Sequence, residues 1–189
     1  MLKFSKHFGV LRAWGILSLL LCLLPIRAQV SREEDLKAAL IVSFVRFTEW
    51  PAAEAPITVG IMNQPELLAA AASLSQGKSV LGRAIQVRGL KYASDLNQCQ
   101  VVYFGGLQGK KLDELLVPAQ ELNLLTIGES DKFLDAGGSI HIFLEDGRLN
   151  FEVNLTTLAQ SKLSISSKLL RLGYTRRESK SPKQGRTRP

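Results

Sequence analysis

Cys99-Gln-Val-Val-Tyr-Phe-Gly-Gly-Leu-Gln-Gly-Lys-Lys-Leu-Asp-Glu-Leu-Leu116, followed by Leu124-Leu-Thr-Ile127, reads as strand, glycine turn, helix and strand. Cys99–Phe104 is a short apolar run bounded by glycine, and Leu124–Ile127 is another, so both suit strands buried on two faces. Between them, Lys110–Leu116 carries helical spacing. Upstream the same alternation recurs. Ile57-Thr-Val-Gly-Ile-Met62 is β-rich, Asn63-Gln-Pro65 precedes a helix over the Ala-rich Glu66–Ser75, and Ala84-Ile-Gln-Val-Arg88 alternates as a strand. Strands interleaved with helices predict a single three-layer α/β domain with a largely parallel sheet and flanking helices.

Downstream the pattern changes. Ile140, Ile142 and Leu144 alternate with His141, Phe143 and Glu145; Leu149, Phe151 and Val153 alternate with Arg148, Asn150 and Glu152. Asp146-Gly147 between them is a hairpin turn, so an antiparallel hairpin should close one edge of the sheet. Leu155 to Leu172 reads as helical, with a break near Lys162, ending at Gly173 as C-cap. At the other end, Ser31-Arg-Glu-Glu34 has capping-box spacing ahead of a helix from Arg32 to Glu49. Leu36, Leu40, Phe44 and Phe47 form its apolar stripe, Ile41 and Val45 widen it, and Trp50-Pro51 stops it.

Residues 1–28 read as a secretory signal peptide, with a basic start, an apolar core Trp14–Leu24 of about 11 residues, Pro25, and Ala28 before the cut. That core is shorter than the roughly 20 residues a helix needs to span a bilayer. The protein is therefore expected to be exported, with an uncleaved anchor as the other reading. Residues 29–174 form the domain. Residues 175–189 hold six basic side chains against Glu178 and no apolar side chain beyond proline, which predicts a disordered basic tail. Taking four basic residues at the start and a net +5 at the end from the total of +7 leaves −2 for residues 29–174. A nucleic-acid-binding face on the domain is not expected from that balance.

The side chains offer little chemistry. Cleavage of the signal would leave Cys99 as the one cysteine and His141 as the one histidine. Neither an internal disulfide nor a histidine or cysteine metal cluster can be built from these, and no metal or other cofactor is expected. Cys99 suits a buried core position, or a thiol pairing between chains; His141 sits within an alternating strand. There is no Gly-x-Ser-x-Gly elbow, and Glu145/Asp146 or Asp131/Asp135 lack a second signal of acid–base work. An enzyme is not expected. The Gly105-Gly106-Leu-Gln-Gly109 turn, with Lys110 after it, has two readings: a tight connection, or a helix N-terminus holding a small anion or nucleotide.

Three blocks carry a resemblance. Asp35-Leu-Lys-Ala-Ala-Leu-Ile-Val-Ser-Phe-Val-Arg-Phe-Thr-Glu-Trp-Pro51, the middle Leu81-Gly-Arg83 with the strand at Cys99, and Phe151-Glu-Val-Asn154 followed by Leu163-Ser-Ile-Ser-Ser-Lys-Leu-Leu-Arg-Leu172 resemble the YfiR family of exported regulators. The resemblance covers about residues 33–173. It implies a non-enzymatic periplasmic repressor that binds the periplasmic part of an inner-membrane diguanylate cyclase and lowers cyclic di-GMP and biofilm formation. It implies further an outer-membrane lipoprotein that sequesters the repressor, and a homodimer. Relatives with an intramolecular disulfide have a cysteine near Cys99 and its mate about where this chain has Gly60. Lys162 stands where relatives often carry glycine, and the basic tail runs past the family pattern.

A binding protein acts through its surface. Glu152, Asn154, Ser166, Ser167 and Arg171 are the expected partner contact on a C-terminal strand–helix surface. Each also has a structural reading: Asn154 as cap of the following helix, Ser166 and Ser167 in helix packing, and Arg171 at a helix end favoured by the dipole.

Overall fold

The computed structural model describes residues 32–176. The expected signal peptide, Ser31 of the capping box and the tail beyond Arg176 lie outside the described residues. The chain opens with α1 (32–47) and continues through β1 (Thr48–Glu49), β2 (Ile57–Met62), α2 (Pro65–Ser75), β3 (Ser79–Val80) and β4 (Arg83–Leu90). A 3-10 turn at Ala93–Gln98 leads to β5 (Val101–Tyr103), α3 (Gly109–Glu121) and β6 (Leu125–Gly128). The remainder is β7 (Ile140–Glu145), β8 (Arg148–Asn154), α4 (Leu155–Gln160), β9 (Ser164–Ile165), α5 (Ser167–Leu170) and β10 (Tyr174–Arg176).

Among the described residues, eight strands form the main sheet in the order β10-β8-β7-β6-β5-β2-β4-β3. Its centre, from β4 through β2, β5 and β6 to β7, is parallel, as expected from the βαβ alternation. Period-two alternation divides the core into two layers. Val59, Ile61, Val101, Tyr103, Leu125 and Ile127 face Ala38, Ile41, Phe44 and Val45 of α1 and Leu67 and Ala71 of α2. Met62, Val102 and Phe104 face the other way, onto Leu112, Leu116 and Ala119 of α3, Leu96 of the 3-10 turn and Phe133. The three layers and the β7–β8 hairpin, turning at Asp146-Gly147, match the expected fold.

Several local expectations are corrected. In α1, Leu36 is 54% and Phe47 37% exposed, while Lys37, Ala38, Ile41, Val42, Phe44 and Val45 are buried, so the helix is rotated about its axis from the stripe read in sequence. It also ends at 47 rather than at Glu49, because Thr48–Glu49 pair antiparallel with Ser164–Ile165. That pairing replaces the long C-terminal helix. Lys162, with φ of +55°, turns the chain out of α4, and only the four-residue α5 follows β9. The hairpin is not the sheet edge either: β10 adds parallel to β8, so Thr175 and Arg176 are strand rather than tail. Finally, Gly173 is required by close approach, since a Cβ there would run into the Phe151 ring.

Candidate functional site

After β2 the chain moves to β4 on one side and then crosses to β5 on the other, so the strand order reverses between β2 and β5. In open α/β sheets the crevice at the carboxyl ends of the strands beside such a reversal is where groups gather for function. Here it collects a polar cluster. Lys37, on the buried side of α1, lies 2.9 Å from Glu33, 3.5 Å from Glu34 and 2.9 Å from Glu129, which follows β6. Tyr103, at the end of β5, donates its phenol to the same Glu129 carboxylate. The Glu129 backbone N–H donates to the Gly105 carbonyl (2.8 Å), and its carbonyl lies 3.3 Å from His141 Nε2.

Three carboxylates thus surround one ammonium. Burial alone would lower the Lys37 proton affinity, but hydrogen bonds to Glu33 and Glu129 outweigh it and hold the ammonium well above its usual range. Burial, reinforced by the Glu129 hydrogen bond, likewise raises the Tyr103 phenol far above its usual range. Burial raises the Glu34 carboxyl, with Lys37 opposing. Lys37 and Tyr103 therefore keep their protons at neutral pH, and the cluster ties α1 to the sheet. Next to it, Gly105 (φ +59°) leaves space that the Gln64 side chain fills; a Cβ would strike the Gln64 amide.

Sequence reasoning missed this cluster. Its one local trace was a lysine inside the apolar helix, just before Ala38. Its partner Glu129 is too distant in the chain for any periodicity to connect them.

The Gly105–Gly109 turn connects strand to helix as read. Gly109 has φ of +58°, Gly106 is open to solvent, and Lys110 reaches Glu114 at 3.7 Å along α3. The adjoining groove of about 530 Å³ is lined by Asp113, Asp131 and Asp135 with Lys132 and Ser130, a carboxylate-rich wall that opposes an anion.

The five residues nominated as a partner contact do not share one surface. Asn154 is completely buried and caps α4, its Oδ1 accepting from the N–H groups of Thr156 (3.0 Å) and Thr157 (3.2 Å). Ser166 caps α5 by accepting from Lys168 N–H, while its own N–H donates to the Phe47 carbonyl. Ser167 and Arg171 are exposed. Phe151 and Val153 share a buried cluster with Leu169 of α5, so Glu152 projects from the opposite face of the sheet. There it accepts from Arg176 Nε at 3.2 Å. Arg176 also reaches Asp135 at 2.5 Å, which pins β10 to the sheet.

Two further sequence candidates are settled by burial. His141 is 9% exposed and stacks on Phe143, ring centres 5.1 Å apart. Cys99 is buried and free, and its thiol is pushed up to about 11 by burial, which the Arg88 charge only partly offsets. Among the described residues, no three potential ligands of the His, Cys, Asp or Glu type cluster for a metal. No helix among them is long and apolar enough to cross a membrane.

Fold and site together define a doubly flanked α/β domain whose crevice is filled by its own ion pairs. The profile of the YfiR/HmsC-like family matches residues 34–174, and the chain belongs to that family. It is a regulatory, non-catalytic family that acts with partner proteins in diguanylate cyclase signalling through cyclic di-GMP. No curated protein matches. Among solved structures, the chain resembles a conserved domain protein from Vibrio cholerae O1 biovar El Tor str. N16961 at 12% identity and a TM-score of 0.50, covering 77% of this chain and 60% of that one. A domain from Streptococcus pneumonia solved in complex with L-Trp matches at 8% identity and a TM-score of 0.49, covering 75% and 59%. The chain thus spans less than two thirds of either. The first likeness concerns the α/β fold.

Proposed function

We propose that the protein is a periplasmic repressor: it binds the periplasmic portion of an inner-membrane diguanylate cyclase, holds it inactive, and so lowers cyclic di-GMP and biofilm formation. The observation that carries this reading is the family match across residues 34–174, joined to an N-terminal segment with the composition of an export signal. An outer-membrane lipoprotein that sequesters the repressor completes the circuit. The proton-holding Lys37 and Tyr103 and the buried Cys99 are consistent with an action by surface contact. The alternative of a periplasmic anion or nucleotide carrier is disfavoured by the aspartates beside the Gly105–Gly109 turn.

Deletion in the host, with the cyclase expressed, tests the proposal. Cyclic di-GMP should rise and return to its former level when the protein is supplied from a plasmid. Unchanged cyclic di-GMP overturns the repressor reading. Protease added to spheroplasts should digest the protein; protection until the inner membrane is lysed overturns the periplasmic location.

A further inference from the structure

The outer side of β8 is only partly used. β10 pairs with Glu152, Val153 and Asn154, leaving the stretch from Arg148 to Phe151 without a neighbouring strand on that side among the described residues. The reason lies at Gly173. That glycine packs directly on the Phe151 ring, which lies on the face of the sheet that α1 covers, so the chain joins the edge only at Tyr174. From there β10 runs toward Asn154, away from the open stretch. Unpaired backbone groups along such an edge are a template for another strand. At roughly 3.4 Å per residue, four residues offer about 14 Å of it.

The sheet face above this edge is aromatic and acidic. The registers place His141, Phe143 and Glu145 on one face with Arg148, Asn150, Glu152 and Tyr174. Phe143 is half-buried and Tyr174 exposed, and their ring centres lie 6.0 Å apart. A groove of about 440 Å³ runs between Tyr174 and the hairpin turn, lined by Glu145, Asp146, Arg148 and Asn150. Glu145 Oε2 accepts from the Tyr174 phenol (2.9 Å) and from Asn150 Nδ2 (3.2 Å), which fixes the carboxylate at the groove wall. Two carboxylates therefore face one guanidinium there, beside aromatic faces that also attract cations. This charge balance selects a basic occupant.

We propose that the open β8 edge and this groove dock an extended, basic segment of a partner protein. The segment adds as a strand in line with β10, its alternate Lys or Arg side chains lying over Tyr174 toward Glu145 and Asp146. The inference rests on the reading of the protein as a partner-binding regulator and adds the place and manner of contact.

Protein purified from its host is titrated with a hexapeptide of alternating Lys and Val, and separately with one of alternating Glu and Val, while backbone amide shifts are followed by NMR. Shifts centred on residues 148–151 and 174, from the Lys peptide alone, are expected. The Glu145→Gln/Asp146→Asn double variant, which removes both charges yet keeps an acceptor for Tyr174 and a residue suited to the φ of +50° at 146, should keep its thermal midpoint and bind the Lys peptide at least about tenfold more weakly. No response, an equal response to the Glu peptide, or shifts centred elsewhere overturns the docking site. The same variant is then compared with the unaltered protein for cyclic di-GMP in the deletion strain. If both lower it alike, the docking site is wrong and the regulatory reading stands. If the unaltered protein does not lower it, the regulatory reading fails and the titration alone decides the edge.

Discussion

A methyl group placed on Gly60, in the middle of β2, would stand 2.9 Å from Sγ of Cys99 at the entrance to β5. Gly60 and Cys99 are thus neighbours across β2 and β5 in this fold. The space is already taken by Leu90, whose side chain crosses over Gly60 and is 1% exposed.

Gly60→Ala should therefore overpack this layer and destabilise the domain by about 1–3 kcal/mol. Urea unfolding measures it. In a Leu90→Ala background the cost should shrink, since the crowding group is gone. An equal cost in both backgrounds would show that the crowding lies elsewhere.

Cys99 should be chemically silent in the folded protein. Burial pushes its thiol up to about 11, so hardly any thiolate exists at pH 8. Iodoacetamide at that pH is expected to leave the native protein unmodified by mass and to add one group at Cys99 after denaturation. Rapid native labelling would contradict the burial.

Lys37→Met removes the cation from among Glu33, Glu34 and Glu129. Wholly buried pairs cost about 3–5 kcal/mol when one partner is lost. These carboxylates retain some contact with water, so about 2–3 kcal/mol at pH 7 is expected. The loss should diminish as pH falls and Glu34, whose carboxyl is raised by burial, takes up its proton. A cost independent of pH would mean that packing, not charge, is what Lys37 supplies.

Stability should fall at alkaline pH. Both Tyr103 and Lys37 hold their protons more tightly folded than unfolded. Above about pH 10 the unfolded phenol and ammonium lose protons that the native state retains, so the native state binds more protons and unfolding becomes easier as pH rises. Thermal midpoints from pH 8 to 11 should be flat at first and then decline. Tyr103→Phe should make the decline shallower; an unaltered slope would remove Tyr103 from the account.

Asn154→Ala should cost about 0.5–2 kcal/mol through loss of the α4 cap. The position is completely buried, so a value toward the upper end is expected. Circular dichroism with chemical unfolding reads it, and a neutral substitution would show that α4 does not depend on this cap.

What the sequence made legible follows from how local each signal was. The parallel core strands β5 and β6 are buried on both faces and read as short apolar runs. The β7–β8 hairpin announces itself by alternation and Asp146-Gly147. α1 was placed but misphased, because apolar residues ring it and Lys37 turns inward toward a partner over ninety residues away. The C-terminal helix was overextended for the same kind of reason: Ser164–Ile165 take strand geometry from Thr48–Glu49, which no local pattern reveals. Asn154's capping was readable from its place before α4. The crevice cluster and the Phe143–Tyr174 row were not, since each is assembled from strands and helices that only the sheet order brings together.

The small β1–β9 pair, with Ser166 N–H held by the Phe47 carbonyl, ties the end of the first helix to a segment more than a hundred residues later. A chain threaded across a membrane from its N-terminus would deliver α1 long before that segment arrives. Closing so long a loop is slow compared with forming local contacts. On the proposed export route the nascent protein would spend that interval with α1 unlatched.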